Sequence, residues 1–332
     1  MRSENSRNRF KRLGESAARQ HKKIQNKLKR VERAHGSRES KKAMQAGARR
    51  YPVPPFPGKP LKKPGLELSL ELPPMYDAPY YKGSSKLGNK VAIITGGDSG
   101  IGRAVAVLFA REGCDVTVVY LNEHRDAAET RCLVERENRK CIIIPGDVSE
   151  RNFCKYVVEE TMAEFGRLDI LVNNAAFQLH VAALESLSDD QFNRTMKTNL
   201  YGYFQMTKAA VPYLKPGSAI VNTGSVTGIM GNAGLPDYSM TKGGIHAWTR
   251  SIGTQLIPKG IRVNAVAPGP VWTPLNPADQ RPGRIAKFGH NTPMRRPAQP
   301  EEIAPAYVFL ASPQTSSYIT GEILPIIGGY GR

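Results

Sequence analysis

The sequence lacks the long apolar runs and the clustered cysteines that mark several classes of protein. No apolar run in its 332 residues approaches the roughly 20 residues that a membrane span needs, which excludes an integral membrane protein. The four cysteines (Cys114, Cys132, Cys141, Cys154) are scattered without a C-x-x-C pair, so neither a zinc knuckle nor a disulfide scaffold is encoded. No His, Cys or carboxylate set has metal-ligand spacing, and we predict no metal site. Reduced cysteines indicate a cytoplasmic protein.

Acidic residues are scarce at the N-terminus. Residues 1–65 hold four Glu and no Asp among many Lys and Arg, and most of the formal net charge of +18 lies in residues 1–86. An apolar stripe at helical spacing crosses this basic stretch: Phe10, Leu13, Ala17, Ile24, Leu28 and Val31. Such a helix can contact an anionic membrane, nucleic acid or an acidic protein, or it is a solvated, partly disordered tail. Organellar targeting stays open, whereas the missing apolar h-region excludes a secretory signal.

Proline marks the next stretch, because residues 51–80 contain nine prolines. Proline fixes φ and removes an amide donor, so we expect an extended connector here. The sequence therefore predicts a basic, partly helical or disordered tail over residues 1–50 and a Pro-rich linker over residues 51–86. A single domain would follow over residues 87–332, with its boundary near Lys86.

The remainder of the chain alternates between short β-branched runs and helical stretches. The predicted strands are residues 91–95, 115–120, 140–145, 168–173, 219–223, 261–266 and 322–327. The predicted helices are residues 101–112, 126–137, 150–165, 189–213, 237–257 and 300–311. Nearly continuous apolar strands separated by helices predict a mostly parallel sheet covered on both faces. We therefore expect a doubly wound α/β domain, the Rossmann fold, with its ligand crevice beyond the carboxyl ends of the strands.

A glycine-rich turn, T-G-G-D-S-G-I-G at residues 95–102, follows the first predicted strand. A pyrophosphate would approach backbone amides at the N-terminus of the next helix, where the helix dipole favours negative charge. Side chains at Gly96, Gly100 and Gly102 would obstruct that approach or the helix packing behind it. A tight strand–helix connection can also need glycine for structure alone, but the position after the first strand favours dinucleotide binding.

Tyr238 and Lys242 lie four residues apart on a predicted helix and therefore share one face. A phenol is a poor proton donor or acceptor at neutral pH, and a neighbouring ammonium lowers its pKa. Ser225, at the end of a predicted strand, would supply a hydroxyl to the reacting oxygen. Taken alone, such a pair is most often an ordinary helix contact.

Together these features make the chain resemble the short-chain dehydrogenase/reductase family over residues 87–329. Residues 95–102 match the family's T-G-x-x-x-G-x-G, and residues 173–176 match its N-N-A-G except for Ala176. The catalytic tetrad of the family is matched in order by Asn199, Ser225, Tyr238 and Lys242, and Pro268-Gly269 follows the sixth strand. Residues 95–103, 267–275 and 306–312 are similar to the glucose/ribitol dehydrogenase-like branch, which includes general-stress oxidoreductases and aldehyde reductases.

The resemblance implies a role for each matching residue. Tyr238 would be the general acid/base, Ser225 would polarise the carbonyl, Lys242 would hold the ribose and Asn199 would position a relay water. The implied cofactor contacts are Gly96, Asp98, Ser99, Gly100, Ile101, Gly102, Tyr120, Asn122, Asp147, Val148, Asn174, Ala175, Tyr238, Lys242, Pro268, Gly269, Val271 and Thr273. Gln178, His180 and residues 276–296 are expected near the substrate.

The cofactor is expected to be NADP or NAD. The second predicted strand ends at Tyr120, without the carboxylate that NAD-selective members use to bind the ribose. His124 and Arg125 could pair with a 2′-phosphate, which favours NADP, whereas Glu123 could serve as a displaced ribose acceptor.

The resemblance implies an enzyme acting on CH–OH groups, and three functions stay open. The first is a cytoplasmic homotetramer or dimer that interconverts an aldehyde or ketone with an alcohol, polyol or sugar alcohol. The second is a 3-ketoacyl-carrier-protein reductase, which shares the tetrad and whose acidic carrier the basic tail could attract. The third is a nucleic-acid- or membrane-binding protein on a dehydrogenase scaffold.

Overall fold

The structure is a computed structural model that describes residues 2–35 and 42–329. The chain divides into two compact units, Met1–Ala43 and Met44–Arg332. The first unit contains helix α1 (Arg2–His35), which is rich in Lys and Arg and has no proline. Lys and Arg have high helix propensity, and this helix lies where the sequence predicts a partly helical or disordered tail.

The second unit is organised around a parallel sheet. Within the described part of the chain, seven strands pair in the order β3-β2-β1-β4-β5-β6-β7, all parallel. The strands are β1 (Val91–Thr95), β2 (Asp115–Tyr120), β3 (Cys141–Pro145), β4 (Leu168–Asn173), β5 (Leu214–Thr223), β6 (Arg262–Pro268) and β7 (Ile323–Ile326). The strand order reverses between β1 and β4, which lie side by side and lead to opposite halves of the sheet. The expected doubly wound α/β fold is confirmed.

Helices cover both faces of this sheet. They are α2 (Gly100–Arg111), α3 (His124–Arg136), α4 (Arg151–Phe165), α5 (Asp189–Met196), α6 (Gly202–Ala210), α7 (Thr227–Met230), α8 (Pro236–Gln255), α9 (Pro282–Ala286), α10 (Pro300–Ala311) and α11 (Pro313–Ser316). One apolar cluster joins the sheet to α2, α3 and α10, and another joins it to α4, α6 and α8. Because both faces are covered, β1, β4 and β6 are buried along their whole lengths.

The predicted helix over residues 189–213 is interrupted in the structure. A π-helical turn, Lys197–Tyr201, separates α5 from α6, and β5 already begins at Leu214. A π turn inserts an extra residue into the helical ladder and often marks a functional position. Here it contains Asn199, which is fully buried. A sequence pattern of apolar residues does not reveal such an insertion.

Residues 44–86, which we call the strap, lie on the sheet domain instead of leading to it. Tyr51 and Phe56 are each 4% exposed, and Phe56 stacks on Trp272 with ring centroids 4.4 Å apart. Arg49 forms ion pairs with Asp77 and with the buried Glu301. The strap is largely extended, as its prolines predict, with one 3-10 turn at Glu67–Ser69.

These contacts correct the boundary that we expected near Lys86. The compact unit begins at Met44, so neither the tail expected over residues 1–50 nor the linker expected over residues 51–86 is separate from the domain along its whole length. The physical reason is that the apolar side chains of the strap, although few, find partners on the domain. Composition alone identified the extended conformation and not its packing.

A membrane-spanning helix is absent from residues 2–35 and 42–329, since no helix there is both long and apolar enough.

Candidate active site

A cleft of about 1240 Å³ lies at the carboxyl ends of the strands. The turns that follow β1, β4, β5 and β6 all line it, because parallel strands deliver their carboxyl ends to one edge of the sheet. The centre of the cleft faces the junction of β1 and β4. This is the topological switch point, where ligands bind in open α/β sheets.

The glycine-rich turn forms one wall of the cleft. Gly96 and Gly100 adopt φ of 61° and 51°, a region that disfavours residues with a side chain. A Cβ on Gly102 would lie 1.9 Å from the Gly96 carbonyl oxygen, so this glycine allows α2 to pack on the turn. Ser99, Gly100 and Ile101 line the cleft where α2 begins, and helix N-terminal amides bind anions.

The turn is tied to the end of β4 by hydrogen bonds. The Thr95 hydroxyl accepts from the backbone amides of Asn174 (2.9 Å) and Ala175 (3.1 Å). The Asn174 side-chain amide donates to the Gly96 carbonyl at 3.0 Å. These hydrogen bonds fix the distance between the ends of β1 and β4. Asn174 and Ala175 line the cleft at this point.

Ser225, Tyr238 and Lys242 come together at the other end of the cleft. Lys242 is fully buried, its Nζ donates to the Thr223 carbonyl at 2.7 Å and lies 5.3 Å from the centre of the Tyr238 ring. Pro236 at the start of α8 sets the helix that holds both residues on one face. The Ser225 hydroxyl follows β5 and accepts from the Thr227 amide at 3.1 Å. The grouping that the sequence predicts is therefore present.

Burial controls the protonation of this group. Burial raises the pKa of Tyr238, while its hydrogen bond with Ser225 acts to lower it. Burial also lowers the pKa of Lys242 to about 7. Burial thus disfavours the charged form of both side chains, so phenolate formation needs help from whatever occupies the cleft.

Asn199 lies behind the cleft and does not line it. Its amide nitrogen donates to the Phe177 carbonyl at 2.9 Å and to the Thr241 hydroxyl at 3.0 Å, and its Oδ1 accepts from the Phe177 amide at 2.7 Å. Thr241 immediately precedes Lys242 on α8. Asn199 thus joins the π turn, the segment after β4 and α8 in one buried network.

Most of the other expected cofactor residues line the cleft. They are Gly96, Asp98, Ser99, Gly100, Ile101, Tyr120, Asp147, Val148, Asn174, Ala175, Pro268, Gly269, Val271 and Thr273. Gly102 and Asn122 do not line it: Gly102 packs behind the turn, and Asn122 is exposed with its amide bonded to Glu123.

The ribose end of the cleft differs from the expectation for His124 and Arg125. Both residues are exposed and lie outside the cleft lining. The His124 Nδ1 instead shares a hydrogen bond of 3.0 Å with the Tyr120 hydroxyl. Two buried acids, Asp98 and Glu123, line this end, and burial together with Glu123 raises the pKa of Asp98 to about 7. The pairing of His124 and Arg125 with a 2′-phosphate therefore stays a prediction.

Comparisons with known proteins agree with this geometry. A family model described as Enoyl-(Acyl carrier protein) reductase matches residues 96–331. General stress protein 39 of Bacillus subtilis is 52% identical over 268 residues, which cover 81% of this chain and 93% of that protein. The chain belongs to the short-chain dehydrogenase/reductase family. It is an oxidoreductase of the branch that includes glucose and ribitol dehydrogenases.

Two further members of the short-chain dehydrogenase/reductase family are similar to it. NADPH-dependent aldehyde reductase 1, chloroplastic, of Arabidopsis thaliana is 46% identical, covering 80% of this chain and 95% of that protein. The crystal structure of a short chain dehydrogenase from Burkholderia cenocepacia J2315 in complex with NADP has a TM-score of 0.69 and 31% identity, covering 74% and 98% of the two chains. The match to General stress protein 39 is longer than the part of this chain after Lys86, so the similarity extends into the strap.

Sequence reasoning missed several residues of this short-chain dehydrogenase/reductase that line or support the cleft. Lys63 of the strap lines it and donates to the Gln178 carbonyl at 2.8 Å. Glu67, also on the strap and 2% exposed, accepts from the Gly100 amide at 2.7 Å and pairs with the buried Arg103. Arg194, which also lines the cleft, donates to the Asp147 carboxylate at 2.7 Å. Only the P-G-L-E stretch at residues 64–67, a turn next to an acid, offered a local signal.

In the described ranges 2–35 and 42–329, no group of three or more His, Cys, Asp or Glu side chains could hold a metal ion.

Proposed function

We propose that this protein interconverts aldehydes or ketones with alcohols, including polyols, by hydride exchange with a nicotinamide dinucleotide. One observation carries the proposal: Ser225, Tyr238 and Lys242 meet at one end of a cleft whose wall is a glycine-rich helix N-terminus. Carbonyl reduction with a nicotinamide needs a proton donor, a neighbouring cation that stabilises its deprotonated form, and a turn that binds the cofactor phosphates.

The cleft fits a dinucleotide on the properties of its own residues. A Cβ on Gly100 would lie 2.9 Å from the Thr273 side chain, so the glycine keeps the passage along the helix N-terminus open. The amides of Ser99 and Ile101 would hold the pyrophosphate, while the Gly100 amide donates to Glu67. Lys242 would hold the nicotinamide ribose, and Val271 with Thr273 the carboxamide. When bound, the nicotinamide supplies or accepts the hydride.

The chain's own residues would manage the proton. Tyr238 would donate its phenolic proton to the carbonyl oxygen during reduction and accept a proton during oxidation, while the Ser225 hydroxyl would orient that oxygen. Lys242 in its charged form would stabilise phenolate on the same helix face. Asn199, bonded to Thr241 at 3.0 Å, would keep this face of α8 in register and support proton relay to Lys242.

Aldehydes are the substrate class that we propose first, supported by the name of the Arabidopsis aldehyde reductase that is 46% identical. A panel of three substrates tests this proposal. The aldehyde and the ketoacyl thioester are assayed for reduction with NADPH or NADH, and the polyol is assayed for oxidation with NADP or NAD. We expect turnover of the aldehyde and the polyol. Turnover of the ketoacyl thioester alone would instead support a carrier-protein reductase, and no turnover at all would contradict the proposed function.

A cytoplasmic homo-oligomer is also proposed. Three aromatic side chains near α6, Tyr201, Phe204 and Tyr213, are 36–43% exposed. Neighbouring apolar groups on a surface favour association between subunits. The mass of the protein in solution, measured by light scattering, tests this proposal.

NADP is the cofactor that we propose, supported by the names of the Arabidopsis reductase and the Burkholderia complex. The acids at the ribose end oppose a 2′-phosphate, because like charges repel. We therefore expect Glu123→Gln to raise the ratio of kcat/KM for NADPH to that for NADH by about 10-fold, corresponding to about 1.4 kcal/mol. Steady-state kinetics with both cofactors measures this ratio.

Glu129→Gln, a substitution of the same type on α3 outside the cleft lining, is the control for that experiment. An unchanged ratio in Glu123→Gln would mean that this carboxylate does not face the ribose. A fall in the ratio would mean that Glu123 assists NADP.

Helix α1 is proposed to bind anionic partners through its Lys and Arg side chains. We expect full-length protein to bind a short DNA duplex or phosphatidylserine vesicles at about 50 mM salt and to lose that binding steeply by about 300 mM, because counterion release and screening dominate such contacts. A chain beginning at Met44 should lose the binding and keep its turnover. Fluorescence anisotropy for the DNA duplex and sedimentation for the vesicles measure this binding. Absence of salt-sensitive binding would contradict the proposal and indicate that the helix is a solvated tail.

A further inference from the structure

A second polar cluster faces the cleft beyond the Ser225–Tyr238–Lys242 group. His180, on the segment after β4, meets Asp279, on the segment after β6, through two hydrogen bonds. The His180 Nδ1 lies 2.6 Å from Asp279 Oδ2, and the His180 backbone amide donates to Oδ1 at 2.7 Å. Gln178 donates its side-chain amide to the same Oδ2 at 3.0 Å. Two distant segments are thereby joined at one carboxylate.

The ionisation of Asp279 determines which ring nitrogen of His180 carries a proton. The carboxylate is fully buried, and burial alone raises its pKa. The hydrogen bonds from His180 and the charge of Lys63 more than offset burial, so the pKa of Asp279 lies below its ordinary value. A carboxylate only accepts hydrogen bonds, so His180 carries its proton on Nδ1. The Nε2 atom is then left to act on something else.

Position and partners make Nε2 of His180 available to a ligand. His180 lines the cleft, with a side chain 19% exposed, and among the described residues its Nε2 has no hydrogen-bond partner. The ring packs against the turn before α8: its Cδ2 lies 3.1 Å from the Cβ position on Gly234, and the Val181 amide donates to the Gly234 carbonyl at 2.9 Å. That turn leads directly into the helix that carries Tyr238. The imidazole is therefore rigidly placed relative to the reacting end of the cleft.

We propose that the His180–Asp279 pair is a hydroxyl-binding subsite that selects polyhydroxylated aldehydes and alcohols over their deoxy analogues. The inference rests on the proposed function and specifies its substrate class. In the neutral tautomer Nε2 accepts a hydrogen bond from a substrate hydroxyl at a carbon away from the reacting carbonyl. A substrate without that hydroxyl leaves a polar atom unpaired, which lowers its transition-state binding.

The test compares D,L-glyceraldehyde with propanal, which has the same carbon chain and lacks the hydroxyls. We expect the wild-type protein to have the higher kcat/KM for glyceraldehyde. His180→Phe should lower kcat/KM for glyceraldehyde by about 10-fold or more, mainly through KM, and leave propanal within about 2-fold, as expected for loss of one hydrogen bond. His180→Gln, which keeps a side-chain acceptor, should retain most of the preference.

His21→Phe is the matched control, because His21 is exposed on α1 and does not line the cleft. This control should leave kcat/KM for both aldehydes unchanged. A wild-type preference for propanal overturns the subsite whatever the variants do, and so does an equal loss for both substrates in His180→Phe. If neither aldehyde is reduced with NADPH or NADH, the subsite is overturned, and the proposed function fails only if the polyol is not oxidised either.

Discussion

Tyr238→Phe is expected to lower kcat by about 100- to 10,000-fold, the range that a positioned general acid/base contributes. Phenylalanine keeps the ring that packs beside Lys242, at 5.3 Å from its Nζ, and removes only the hydroxyl. Cofactor affinity, measured by quenching of protein fluorescence, should therefore stay near the wild-type value. Single-turnover and steady-state rates with NADPH and an aldehyde measure the loss.

Tyr156→Phe is the control for that prediction, because Tyr156 on α4 is half exposed and far from the cleft lining. It should leave kcat unchanged. Ser225→Ala should lower kcat as Tyr238→Phe does, whereas Lys242→Met should weaken both cofactor binding and rate, since Lys242 is assigned to both. Near-normal turnover in Tyr238→Phe would remove this residue from the mechanism.

Glu67→Ala is expected to destabilise the protein by about 3–5 kcal/mol, the usual cost of breaking a buried ion pair from one side. Glu67 and Arg103 are each 2% exposed, and Asp126 lies 3.7 Å from the same guanidinium. Loss of the Glu67 carboxylate would also leave the Gly100 amide without its acceptor at the N-terminus of α2. Both the glycine-rich turn that forms one wall of the cleft and the stability of the fold would therefore be weakened.

Thermal unfolding measures this effect, and a loss of that size corresponds to a fall in Tm of about 10 °C for a domain of this size. Glu71→Ala is the control, because Glu71 is exposed and its pair with Lys59 at 3.6 Å is exposed as well. An unchanged Tm in Glu67→Ala would show that the buried pair is not needed. Cofactor affinity, measured on the folded fraction, distinguishes the two effects. A lower affinity in folded protein indicates damage to the glycine-rich turn, whereas an unchanged affinity indicates a loss of stability alone.

Truncations extend the same prediction to the whole strap. The sequence predicts a tail and a linker over residues 1–86, ahead of the domain over residues 87–332, and such segments would be dispensable. The contacts of Tyr51, Phe56 and Glu67 with the domain now favour a different outcome: a chain beginning at Met44 should keep Tm and turnover, and one beginning at Leu87 should lose both. A cut after Arg50, which removes Arg49 from Glu301, should fall between them.

The sequence by itself determined the sheet, its helices and the grouping of the reacting residues. Short apolar and β-branched runs placed β1, β2 and β4 at the bounds that the structure has, because a strand buried on both faces is mostly apolar. Tyr238 and Lys242 were predictable as neighbours because helical geometry alone puts residues four apart on one face. Their approach to Ser225 followed from the strand ends meeting at one edge of the sheet.

Only the tertiary structure decided which long-range partners meet. The strap packs on the domain, Glu67 reaches Gly100, and Asp279 reaches His180, although each pair is separated by 33 or more residues. At the end of β2, the turn directs Glu123 into the cleft and leaves the adjacent His124 exposed, which the sequence does not decide. Local propensity and spacing carry no information about such contacts, because they depend on how loops of irregular backbone are packed once the sheet has formed.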